Sequence, residues 1–128
     1  MDRKFVITAL IYAVLGMLLG IYMAASQNHG QMVTHTHIML AGFVVSFFYG
    51  LCHKLWLTAE DSLLAKAQFY IHQVGLASMC SGLFLLYGGL IEMETIDPIL
   101  ALSSTVFLAG MLIMMAMFLK QKPRAAAG

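Results

Sequence analysis

Apolar residues fill four long runs along the chain, at residues 5–25, 35–57, 69–91 and 98–119, with short polar stretches between them. Each run comes close to the ~20 residues that a helix rising ~1.5 Å per residue needs to cross hydrocarbon. The pattern predicts an all-α integral membrane protein, a four-transmembrane-helix up-down bundle with helices at about 5–25, 35–57, 59–91 and 98–119. The third helix is expected to begin ahead of its apolar run, because Thr58 followed three residues later by Asp61 has the form of a capping box. Asp97 and Pro98 are the expected N-cap and first position of the fourth helix, where the missing proline N–H costs nothing. Four helices with short connections form one membrane domain over residues 1–128, and residues 120–128 read as a disordered tail.

Composition agrees with this picture. Of the 128 residues 61% are hydrophobic and 10% charged, and the mean hydropathy is +0.86, too little polar surface for a water-soluble globule of this size. The first run is longer than a signal-peptide core and lacks a convincing cleavage signal after it, so it is expected to remain as a membrane helix. The seven basic residues fall at Arg3 and Lys4, at Lys54 and Lys66, and at Lys120, Lys122 and Arg124. All of these lie on one side of a four-span topology, and by the positive-inside rule both termini belong in the cytoplasm of a cell whose bacterial inner membrane holds the protein as a multi-pass chain. No basic patch suggests nucleic acid. Cys52 and Cys80 are expected at different depths and unpaired, and no CxxCH motif is present for covalent haem attachment.

Glycines mark close approach. Gly75, Gly82 and Gly89 recur every seventh residue on the third helix, and Gly16 with Gly20 forms a GxxxG pair on the first. Such a stripe admits another helix or a flat ligand. Plain helix packing is expected for the Gly16 pair, which has no polar neighbour in the sequence. On the third helix either reading stands, because His72 lies one turn before Gly75.

The candidate chemistry is in the histidines. His35 and His53 are eighteen positions apart, five turns at ~100° per residue, and point the same way from the second helix, with Met39, Gly42, Ser46 and Tyr49 on the stripe between them. The same eighteen residues span ~27 Å, so the imidazoles fall into two layers. His29, His35 and His37 form the periplasmic one, and His53 and His72 the cytoplasmic one, where both could reach a single iron. His29 in a polar loop reads as simply solvated, and His35, His37 and His53 at helix ends could reach the interface by snorkelling. His72 lies inside an apolar run, where an ionisable side chain marks function.

The segment T-H-T-H-I-M-L-A-G-F, residues 34–43, with a second glycine eight residues on at Gly50, resembles the second helix of the haem-copper oxidase subunit I superfamily, especially nitric oxide reductases and small stand-alone relatives. The segment F-Y-I-H-Q-V-G-L, residues 69–76, is similar to the third helix of the short relatives. The resemblance implies that His35 or His37 ligates a low-spin b haem. The dozen helices and the copper-site histidines of the full enzymes have no counterpart here, so reduction of oxygen or nitric oxide by this chain alone is not expected. What the residues and the resemblance together suggest is a b-type haem protein of electron transfer or of diatomic-gas (NO or O2) binding or sensing, with metal-ligating candidates His72, His37, His35 and His53, and with Gly42, Gly75 and Tyr49 beside the cofactor. Ser46, Tyr49 and Tyr70 are the candidates to hydrogen-bond propionates or a bound ligand. The expected partners are the lipid bilayer, a second copy of the chain, and a redox partner or respiratory complex.

Two other readings compete. Met23, Met32, Met39 and Met93 near His29, His35 and His37 would suit Cu(I) binding or copper delivery, although eleven methionines in so apolar a chain serve mostly for packing. A structural small subunit of a respiratory complex would explain size and oiliness but not His72. No hydrolytic or transferase site is indicated, because Glu92, Glu94 and Asp97 share a loop without a matched base.

Overall fold

The structure, a computed structural model, describes residues 1–58 and 62–120. Four helices are long and apolar enough to cross a membrane: α1 (Asp2–Ser26), α2 (Met32–Leu55), α3 (Leu63–Tyr87) and α4 (Met93–Lys120). No strand occurs among the described residues. The outward surface of α1 carries Ile7, Leu10, Val14, Leu18 and Ile21, all exposed, and an apolar belt of this kind is stable against lipid rather than water. These are the features of a multi-pass membrane protein.

The helix ends differ from the expected ones in instructive ways. α3 starts at Leu63, with the Ser62 side chain accepting a hydrogen bond from the Ala65 amide; the cap is therefore Ser62 rather than Thr58, while Asp61 lies outside the described residues, as do residues 121–128 of the expected tail. α3 stops at Tyr87, four residues short of the end of its apolar run. There Gly89 adopts a φ of 70°, the Leu90 amide donates to the Leu85 carbonyl and the Gly89 amide to the Leu86 carbonyl, the Schellman closure that needs a left-handed residue. Gly89 thus ends the helix and does not continue the stripe of Gly75 and Gly82. α4 begins a turn before Asp97: the Glu92 carbonyl accepts from the Thr95 and Ile96 amides, and Pro98 sits inside the helix. Pro98 is the sixth residue of α4, past the first turn, so the helix forgoes the bond that an amide there would make to the Glu94 carbonyl.

α2 is not a uniform α-helix. Residues Ile38–Val45 form a π-helix between the α-helical segments Met32–His37 and Ser46–Leu55. The widened turns lie where α2 crosses α1, and Gly42 is bare there because a Cβ would come within 2.7 Å of the Tyr12 ring.

The bundle is two helical hairpins. α1 packs along α2, α3 packs along α4, and α2 meets α3 chiefly through its first segment Met32–His37. The α3–α4 pair comes to backbone contact. A Cβ on Gly75 would lie 2.6 Å from the Phe107 amide nitrogen, and one on Gly110 would lie 3.1 Å from the His72 Cα. The partner that fills the glycine stripe of the third helix is therefore the fourth helix. Because backbone cannot yield as a side-chain tip can, Gly75→Ala should push α4 away at a cost of roughly 1–3 kcal/mol, read as a lowered midpoint of thermal unfolding in detergent. Gly30→Ala, in the loop before α2, is the control expected to leave that midpoint nearly unchanged.

Candidate functional site

Side chains rather than backbones join the two hairpins at the end of the bundle that holds the α1 start and the α2 end. The Phe5 ring of α1 lies 4.9 Å from that of Phe69, 5.5 Å from that of Tyr49, 5.5 Å from His53 and 5.9 Å from His72, centroid to centroid. It is stacked on His53 at an interplanar angle of 19°. Tyr49 stands edge-on to His72 at 5.0 Å, and Phe107 of α4 closes the other side at 5.0 Å. The Tyr49 hydroxyl donates to the Met111 sulfur at 3.0 Å.

Within this aromatic shell lies a group of polar side chains that are wholly buried. His53, His72, Gln68 and Ser46 are each 0% exposed. The His72 Nε2 and the Ser46 hydroxyl are hydrogen-bonded at 3.0 Å. The Gln68 amide nitrogen donates to the Gly110 carbonyl at 3.5 Å, while the Gln68 carbonyl oxygen and the His72 Nδ1 have no hydrogen-bond partner among the described residues. Gln68 and His72 are one turn apart and so share a face of α3. Gln68 was passed over in the sequence, although a polar pair four residues apart in an apolar run is a readable sign of an inward polar face. At the same end, Lys54 and Asp2 approach to 3.9 Å.

The inward stripe of α2 is buried over its second half, at Gly42, Ser46, Tyr49 and His53, while His35 and Met39 of the same stripe are half-buried; on the opposite face Leu40, Phe47 and Leu55 are exposed and Val44 and Leu51 half-buried. His53 therefore does not snorkel to the interface. His35 and His53 both lie against α1, the first over Gly20 and the second on Phe5. Between them Ser46 reaches to His72 of α3, and Tyr49, beside Phe5, also reaches to α3 and α4.

The outer layer is built differently. The His35 Nδ1 donates to the Gly16 carbonyl of α1 at 2.8 Å, and the His37 Nδ1 donates to the Val33 carbonyl one turn back at 2.8 Å. A carbonyl only accepts, so Nδ1 carries the proton in both rings and Nε2 holds the lone pair of the neutral form, the arrangement that orients a ligating imidazole. The Gly16–Gly20 pair, expected to have no polar neighbour, is the seat of His35, and Met39 packs against Gly16 beside it. His29 is exposed, as expected for a loop residue. Met32 and Met93 are exposed and Met23 is buried. The described residues hold no group of three or more His, Cys, Asp or Glu side chains placed for a metal ion. The free thiols Cys52 and Cys80 are unpaired, as expected.

The structure thus brings together His53, His72 and Tyr49 and keeps His35 and His37 apart from them. The glycines do not leave an open plane for a cofactor, because Gly42 receives Tyr12 and Gly75 receives the α4 backbone. Tyr70 points outward and is exposed. No family model, curated protein or solved structure matches the chain.

The Ser46–His72 bond is the polar link across the seam. Ser46→Ala should leave both ring nitrogens of His72 without a partner and destabilise the fold by roughly 1–3 kcal/mol. Thermal unfolding in detergent would measure this, and Ser46→Thr should restore most of the loss.

Proposed function

We propose that this chain is a b-type haem protein of the bacterial inner membrane, serving electron transfer or the binding or sensing of a diatomic gas, with both termini in the cytoplasm. The observation that carries the proposal is the His72 ring: wholly buried in an apolar bundle, with Nδ1 lacking a hydrogen-bond partner among the described residues. An imidazole nitrogen left bare in such surroundings is costly unless a ligand repays it. His53 lies in the same aromatic cluster, and the pair supplies the donor set of an axial haem site.

The donor chemistry fits. The room is taken by Phe5, whose ring lies against both imidazoles, so entry of a macrocycle requires that ring to turn aside. The seam between the hairpins is the place where this is cheapest, since mostly side chains bridge it there. When bound, haem supplies a one-electron iron couple or, with an open axial position, a gas-binding site. This chain's residues hold and orient His72 through Ser46 and exclude water with the rings of Phe5, Tyr49, Phe69 and Phe107. His35 and His37, each with Nδ1 tied to a carbonyl, are the ligands of a second site in the periplasmic layer if the protein binds more than one haem.

Optical spectra of the protein purified from haem-replete cells test the reading. A Soret band and reduced α band are expected, with His72→Ala removing at least half of the haem and Phe5→Ala retaining it. Fully folded but colourless protein would overturn the proposal. A spectrum untouched by His72→Ala and lost in His35→Ala or His37→Ala would move the site to the outer layer.

A further inference from the structure

α1 and α3 touch at the end of the bundle where both begin. There Phe5 meets Phe69 at 4.9 Å and the Gln73 amide donates to the Thr8 hydroxyl at 3.3 Å. Beyond these contacts a cleft opens between the two helices, with Ile11 and Leu15 of α1 facing Ala77 and Phe84 of α3. Both helices therefore run away from this end in the same direction, along the two walls of one groove.

Residues three, four and seven apart share a stripe of a helix. Lys4 thus lies on the α1 stripe of Thr8, Ile11 and Leu15, and Lys66 on the α3 stripe of Gln73, Ala77 and Phe84. The Thr8–Gln73 bond joins these stripes, so the two lysines stand at the mouth of the groove, one on each wall. Both are exposed, and neither makes an ion pair among the described residues. Lys54 at the same end differs, because it approaches Asp2 at 3.9 Å. Tyr70, one turn beyond Lys66, and Trp56 are also exposed, and aromatic side chains so placed mark the level of lipid headgroups. The opposite end of the bundle carries the exposed acids Glu92, Glu94 and Asp97 and no Lys or Arg among the described residues.

We propose that the groove mouth between Lys4 and Lys66 binds the headgroup of an anionic phospholipid, a phosphodiester with net negative charge. Two uncompensated like charges brought to one groove repel each other, and an anion between them relieves that repulsion. Each ammonium meets phosphate as a point charge with three donors, so no rigid fork is needed. A basic site between membrane helices at headgroup level takes its anion from the lipid itself. Just beyond Lys4, the exposed Ile7 and Ile11 of α1 continue as an apolar wall for the acyl chains, which a soluble phosphate could not use. No histidine takes part, so the site stands apart from the haem reading.

Native mass spectrometry of the purified full chain, titrated in detergent with dioleoyl-phosphatidylglycerol or dioleoyl-phosphatidylcholine, tests the site. The anionic lipid is expected to bind roughly tenfold or more tightly than the zwitterionic one. Lys4→Gln and Lys66→Gln should each weaken it about fivefold, the equivalent of ~1 kcal/mol per basic residue. The double variant should hold the two lipids alike. Lys120→Gln, at the far end of α4, is the control expected to leave binding nearly unchanged. Because both lysines are exposed, the variants should keep the wild-type unfolding midpoint. Equal binding of the two lipids by the unaltered chain, displacement of the anionic lipid by equimolar inorganic phosphate, undiminished preference in the double variant, or an equal loss on Lys120→Gln would each overturn the proposal.

Discussion

Two backbones can touch only where no side chain stands between them, and the crossing of α3 over α4 depends on that exclusion. Gly75 yields to the backbone at Phe107, and Gly110 yields to the backbone at His72. These reciprocal notches lock the two helices in register and fix His72 in the interior, with its ring directed at Ser46 of the other hairpin. Were either notch filled, α3 would stand away from α4, and the Gln68 bond to the Gly110 carbonyl would be lost along with the closure by Phe107. The placement of His72 and Gln68 follows from the contact of two bare Cα atoms with neighbouring backbone.

The seam between the hairpins obeys another rule. Inside hydrocarbon a polar atom finds its partner within the protein or goes without. At the end holding the start of α2, the Gln31 amide donates to the Phe84 carbonyl while its own carbonyl oxygen accepts from Thr34, so one side chain ties α3 to the start of α2 with both its nitrogen and its oxygen engaged. At the inner end the account does not close, because the His72 Nδ1 and the Gln68 oxygen remain. One end of the seam is therefore a structural clasp, and the other keeps buried polar atoms unmatched among the described residues, the contrast on which the proposed function draws.

The four spans were legible because lipid demands about twenty apolar residues of each helix, a demand that hydropathy reads directly. The inward stripe of α2 was legible from its three-four spacing. Helix ends were less so: the competition between Thr58 and Ser62 for the cap, and between Gly89 as packing residue and as terminator, is decided by local backbone geometry that spacing does not encode. The partner of Gly16 and Gly20 was hidden because His35 belongs to another helix, and only the antiparallel register of α1 and α2 brings it there. The gathering of His53 and His72 around Phe5 was half visible, since depth could be counted along each helix but the aromatic ring between them could not. The cleft between α1 and α3 left no sequence signal, because it arises from the divergence of two helices.

The π-helical stretch of α2 bears on how the two histidine layers are coupled. A π turn holds more residues than an α turn, so the outer segment with His35 and His37 is rotated about the helix axis relative to where an unbroken α-helix would set it against His53. Relaxing those few turns to α geometry would swing one layer against the other without breaking the chain's path through the bilayer. The angular relation between the two histidine layers is thus set in the middle of α2, by the geometry of Ile38–Val45.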